Sequence, residues 1–231
     1  MKDILLLHGA IGDRSQLLPL QQLLSADHRV HVINFNGHGG KPFSGKVFSI
    51  EHFAEEVIDF LAEMKISSIN IFGYSMGGFV ALYLAKHSPG KVKAVITLAT
   101  KFTWDESIAA KESAMLNANK IEEKIPAFAK TLQDRHYPLD WKILLQKTSD
   151  MLLAMGSNNP LALHEFTTIQ QPVQLMLGDK DKMVSLDETV AVFQQLPNAR
   201  LSVLPGTLHP IESVNTERLA FEIRSFLLQE I

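Results

Sequence analysis

A chain of 231 residues, 46% of them hydrophobic, is long enough for one α/β domain with a substantial buried core. Its formal net charge of −3 gives no electrostatic pull toward nucleic acid or an anionic membrane, and the absence of cysteine excludes disulfides and thiol chemistry. No segment approaches the roughly twenty apolar residues of a membrane span, and the run at residues 4–7 is too short for a signal peptide, so the expected compartment is the cytoplasm.

Short apolar, β-branched runs alternate with helical patterns along the chain. That alternation predicts an α/β fold with a mostly parallel, doubly wound sheet and helices on both faces. The first strand falls at residues 4–7 and runs into a glycine-rich loop, His8-Gly9-Ala10-Ile11-Gly12, with a helix expected over 14–25. A second strand at 30–35 leads through Gly37-His38-Gly39-Gly40 to a helix over 50–64. The third strand, 69–72, enters Gly73-Tyr74-Ser75-Met76-Gly77, and a helix over 76–86 follows. After a strand at 94–98, residues 102–168 read as helical with little strand character. Strands at 173–177 and 201–204 bracket a helix over 186–195, opened by the capping-box pattern Ser185-Leu186-Asp187-Glu188. A last amphipathic helix is expected over 215–230.

The chemistry concentrates at the third strand. In a G-x-S-x-G sequence between strand and helix, the serine occupies a sharp corner with positive φ expected. Glycines two residues to either side let strand and helix approach closely. The Met76 N–H then lies at a helix N-terminus, aimed at developing negative charge. Two further polar groups follow later strands: a carboxylate, Asp179 or Asp181, after 173–177, and His209 after 201–204. Ligand sites in open α/β sheets gather at these carboxyl ends. A serine needs an imidazole to take its proton, and the imidazole needs a carboxylate on its other nitrogen.

On Leu7-His8-Gly9, Gly37-His38-Gly39, the 73–77 pentapeptide, Leu177-Gly178-x-x-Asp181-x-x-Val184 and His209, the chain resembles the α/β-hydrolase superfamily in its small, lidded, esterase-like branch. The resemblance implies Ser75 as nucleophile, His209 as base and Asp181 as the orienting acid, with Asp179 finishing the turn. It also implies an oxyanion hole from the N–H groups of Met76 and Ala10, with Ile11 as the alternative to Ala10. Relatives carry a β-hairpin before the first strand seen here, so about six strands are expected, with 30–35 exposed as an edge that is a candidate for pairing with a second copy. Residues 1–101 and 169–231 would form the core and 102–168 a helical lid over Ser75. Two departures from the family pattern stand beside the histidine: Leu208 replaces a glycine, and Pro210 follows.

The expected function is that of a serine carboxylesterase acting on small or medium apolar acyl esters. Thioester cleavage, or carbon–carbon hydrolysis or lyase chemistry on the same triad, is the alternative, and a small-molecule receptor without turnover is a second. The partner is a small-molecule substrate. Neither a cofactor nor a metal is expected, because H-E-x-x-H, G-x-G-x-x-G and P-loop patterns are missing. Seven Lys/Arg against nine Asp/Glu in 102–168 offer no basic surface for an acidic carrier protein or coenzyme A. His8 and His38 are expected to brace loops, and His28, His31, His52, His87, His136 and His164 show no partner pattern.

Overall fold

Ile4, Leu5, Leu6 and Leu7 are all fully buried, and they alternate between two apolar clusters: Leu5 and Leu7 join one, Ile4 and Leu6 the other. This period of two marks a strand covered on both faces. Each such Leu contributes about 2 kcal/mol through its burial. In the computed structural model, whose described residues are 1–229, that strand lies inside a six-stranded parallel sheet. The elements run β1 (Lys2–Leu7), α1 (Leu18–Leu24), β2 (His28–Val32), α2 (Ile50–Glu63), β3 (Ile69–Tyr74), α3 (Met76–His87), β4 (Val92–Leu98), α4 (Glu106–Ala114), α5 (Ala118–Lys124), α6 (Pro126–His136), α7 (Trp141–Ser157), β5 (Val173–Gly178), α8 (Leu186–Gln195), β6 (Ala199–Leu204) and α9 (Thr216–Gln229).

The strand order is β2-β1-β3-β4-β5-β6, with every neighbouring pair parallel. The chain leaves β1 for one side of it and returns on the other, so the order reverses between β1 and β3. Loops leaving two such strands diverge and open a crevice at their carboxyl ends. One face of the sheet is covered by α1 and α9 through Leu20, Leu24, Ile223 and Phe226. The other is covered by α2, α3 and α8 through Phe53, Val57, Phe79, Val80 and Val192.

Several expected elements differ in extent; β1, β3, β4 and β6 each run up to two residues longer than expected. The helix expected over 14–25 is a 3₁₀ turn, Arg14–Leu17, followed by α1. Pro19 has no N–H to give to the carbonyl four residues back, so α-type bonding begins only beyond it. The strand expected at 30–35 is His28–Val32: Val32 is the last residue in register with β1, opposite Leu6. The Phe35 N–H is taken instead by the Nε2 of His8 at 3.2 Å, which bends residues 33–35 off the sheet. The last helix starts at Thr216, and the expected terminus at Glu230 lies outside the described residues. β2 is an edge strand, as expected, with His31 paired to Asp3 at 2.8 Å and Arg29 at 3.7 Å from the same carboxylate.

The segment between β4 and β5 is helical. α4 packs along α7, and α5 along α6. Ile121, Ala129, Leu132, Trp141 and Leu145 form a small apolar cluster of their own, and Ile11 from the loop after β1 packs against it.

Candidate active site

Ser75 stands between the last residue of β3 and the first of α3, with φ 52 and ψ −117. An L-residue holds that conformation only under constraint. The constraint is visible. The Ser75 N–H donates to the Leu98 carbonyl at 2.8 Å, prolonging the ladder to β4. The Ser75 carbonyl accepts from the N–H of Gly78 and Phe79 and from the Thr100 hydroxyl, at 3.0, 3.3 and 3.0 Å. The flanking glycines are required by contact: a Cβ on Gly73 would lie 2.3 Å from the backbone of Gly77, and one on Gly77 would lie 2.5 Å from the Leu7 carbonyl oxygen.

The acid and the histidine meet above β5 and β6. The His209 Nδ1–H donates to Asp181 Oδ2 at 2.8 Å, and the Asp181 Oδ1 accepts the N–H groups of Met183 and Val184 at 2.8 and 2.9 Å. The Asp181 side chain is fully buried. Burial pushes its pKa up, but the His209 bond and the two backbone donors outweigh that and hold it below the usual range. Asp179 is exposed and points elsewhere: its Oδ1 accepts the Thr207 N–H at 3.1 Å, bracing the turn before His209. The Tyr74 hydroxyl donates to the His209 carbonyl at 3.1 Å, pinning the same loop from β3. Gly206, with φ 68, makes the left-handed step in this turn, and the Leu208 side chain is exposed.

Ser75, His209, Met76 and Ala10 all line one cavity. Met76 opens α3, so its N–H has no intrahelical acceptor. Ile11 does not line the cavity with Ala10; its side chain turns toward the α5–α7 cluster. The walls are Ile50, Phe79, Trp104, Met151, Leu152, Met155, Met183 and Val184, with Lys101 and Glu112 as the charged members. Lys101 Nζ donates to the Met183 carbonyl at 2.8 Å and lies 3.8 Å from Glu112 and 3.7 Å from Glu188. Trp104 Nε1 is buried without a hydrogen-bond partner among the described residues. The cavity measures about 80 Å³. Among the described residues no group of three or more His, Asp or Glu is arranged to hold a metal ion, and no helix is long and apolar enough to cross a membrane.

Three buried histidines surround this end of the sheet. His8 donates from Nδ1 to the Gly9 carbonyl at 2.8 Å and accepts the Phe35 N–H on Nε2, and burial pushes its pKa down to about 4. His38 bonds the Asn36 carbonyl at 2.9 Å, and burial holds its pKa well below the usual range. Both brace loops. The sequence reading missed the third. His136, on α6, accepts the Gly39 N–H on Nδ1 at 3.0 Å and donates from Nε2 to the Ile11 carbonyl at 3.0 Å. Those partners are backbone groups 97 and 125 residues away, so no local spacing signals the role.

Residues 3–147 match the family described as alpha/beta hydrolase fold. A pimeloyl-(acyl-carrier protein) methyl ester esterase of Aeromonas hydrophila is 33% identical over 227 residues, covering 90% of this chain and 88% of the relative. The enzyme of the same name from Neisseria meningitidis serogroup C is 28% identical, over 98% of this chain and 94% of its own length. In fold, the chain is similar to the enol-lactonase of Burkholderia xenovorans, with a TM-score of 0.78 at 19% identity, covering 98% and 91% of the two chains.

Proposed function

The chain belongs to the α/β-hydrolase fold family and is a hydrolytic enzyme, and from that premise we propose that it is a serine carboxylesterase whose triad is Ser75, His209 and Asp181. The observation that carries the reading is the 2.8 Å bond from the Asp181 carboxylate to a His209 ring that shares one cavity with the strained Ser75. His209 Nε2 removes the Ser75 proton as Oγ attacks the ester carbonyl, and Asp181 holds Nδ1–H and stabilises the imidazolium. The oxyanion lies between the N–H groups of Met76 and Ala10, where losing one donor costs about 3 kcal/mol of transition-state stabilisation. His209 then gives its proton to the departing alkoxide, leaving an acyl-enzyme. It next takes a proton from water as the water oxygen attacks the acyl carbon, and it returns that proton to the Ser75 Oγ as the acid leaves.

In this reading α4–α7 act as the lid, since Glu112, Met151, Leu152 and Met155 close the cavity from that side. The walls suit an apolar acyl group, and methionine side chains can reshape around different chain lengths. The two curated relatives are named for a methyl ester, which supports a small alcohol portion. The acidic balance of 102–168 favours a free ester over one borne by an acidic carrier protein. A chain-length panel of alkyl esters and matching thioesters, run on wild type and Ser75→Ala, tests this. Turnover of short and medium esters that vanishes in Ser75→Ala is the expected result. Tight ligand binding without Ser75-dependent turnover would replace the esterase with a receptor.

A further inference from the structure

The loop after β1 carries a strain that its own sequence does not relieve. Residues 9–12 form a turn closed by the Gly12 N–H on the Gly9 carbonyl at 3.2 Å. Ile11 occupies the third position of that turn with φ 52. Turns with a positive φ there ordinarily use glycine, because a β-branched residue is disfavoured in the left-handed region. Something outside the loop holds Ile11, and what holds it is α6. The Ile11 carbonyl accepts from His136 Nε2 at 3.0 Å and from Arg135 Nη1 at 3.4 Å, while the Ile11 side chain packs against the cluster that includes Ala129 and Leu132.

The same two residues reach the other loops of the site. His136 is fully buried, and its Nδ1 accepts the Gly39 N–H, which fixes the neutral tautomer with the proton on Nε2. Arg135 Nη2 bonds Glu212, three residues past His209, at 3.1 Å, and its Nε lies 3.8 Å from Asp13. Gln16 completes the ring: its Nε2 donates to Glu212 at 2.6 Å, and its Oε1 accepts the Asp13 N–H at 3.0 Å. One end of α6 therefore grips the turn that presents the Ala10 N–H, the 37–40 loop and the loop carrying His209.

Resting on the esterase reading above, we propose that His136 and Arg135 are positioning residues: they clamp the Ile11 carbonyl so that the strained 9–12 turn aims the Ala10 N–H at the oxyanion. The helical segment over the pocket thus sets catalytic competence as well as access. A side chain that only docks α6 would affect substrate binding or stability. One that aims an oxyanion donor acts on the transition state.

The test is steady-state ester hydrolysis by wild type, His136→Ala, His136→Gln, Arg135→Met, Ile11→Gly and the double variant Ile11→Gly/His136→Ala, with the melting temperature of each. His136→Ala is expected to lower kcat roughly 10-fold or more with KM within about 2-fold, since a misaimed donor forfeits part of the 10²–10³ such a group supplies. Glutamine, whose amide offers one donor and one acceptor, should restore most of the rate. Glycine adopts positive φ unaided, so His136→Ala should cost several-fold less in the Ile11→Gly background, a non-additivity that reports direct coupling. Arg135→Met keeps the question open to measurement if His136→Ala does not fold, and is expected to show a smaller loss in the same direction. A raised KM with unchanged kcat, or additive effects of the two positions, would overturn the clamp. Those outcomes leave Ser75-dependent turnover of the wild type intact; its absence would instead remove the esterase reading.

Discussion

Asp181 gives one carboxylate oxygen to His209 and the other to the N–H groups of Met183 and Val184, so its orientation is fixed before any substrate arrives. Asparagine at this position would present an amide to groups that are all donors or would force the opposite imidazole tautomer. We expect Asp181→Asn to lower kcat by about 10³–10⁴, the range seen when a triad acid becomes an amide. Asp179→Asn keeps an oxygen for the Thr207 N–H and should stay within about 10-fold of wild type. Parallel kcat measurements on the two variants decide the assignment, and the reverse order would assign the acid to Asp179.

The Ser75 backbone stores strain that glycine would not feel. Ser75→Gly and Ser75→Ala both remove the nucleophile, but only glycine relaxes at φ 52 and ψ −117. We expect Ser75→Gly to be more stable than Ser75→Ala by about 1 kcal/mol, the relief being partly offset by the greater unfolded-state entropy of glycine. Paired urea melts read this directly, and equal midpoints would mean that the corner is unstrained.

Stability should fall with acid as the unfolded chain takes up protons that buried histidines refuse. His8 is depressed from 6.5 to about 4 by burial, so the folded state favours its neutral form. The unfolded chain binds that proton first. The stabilisation is therefore complete above about pH 6.5, declines as pH falls, and levels off below about 4. Between pH 7 and 5 His8 alone accounts for about 2 kcal/mol, and His38 and His136, also depressed by burial, act in the same direction. Asp181 titrates below this window and does not confound it. Urea unfolding at pH 7 and 5 should show a smaller drop for His8→Gln than for wild type. An equal drop would contradict the assignment.

Met151 is almost fully buried and lines the cavity. Met151→Ala should cost about 2–5 kcal/mol of stability and leave space beside the acyl group. In the ester panel, the ratio of kcat/KM for longer over shorter acyl chains should rise. An unchanged ratio together with a lowered melting temperature would place Met151 outside the path of the substrate.

The rim that gathers Ser75, Asp181 and His209 was legible because each lies within a few residues of a strand's carboxyl end, and a parallel sheet brings those ends together; the choice of Asp181 over Asp179 came from the family resemblance. The six strands were legible because short, largely apolar runs bounded by turn residues alternate with longer helical patterns. The clamp on Ile11 was not legible, since Arg135, His136 and Glu212 act on partners in other loops and no local period encodes them. Strand β2 ended early because the His8 side chain takes the Phe35 N–H, a tertiary contact that overrides the β-propensity of residues 33–35. The break before α1, by contrast, was written in Pro19.

Whether Ser75 is a nucleophile activated by His209 is tested most directly by the rate and position of covalent labelling with a fluorophosphonate. The account predicts one adduct per chain, mapped by peptide mass spectrometry to Ser75, forming at least about 10³-fold more slowly in His209→Ala. Labelling at another residue, or at an unchanged rate without His209, would contradict it.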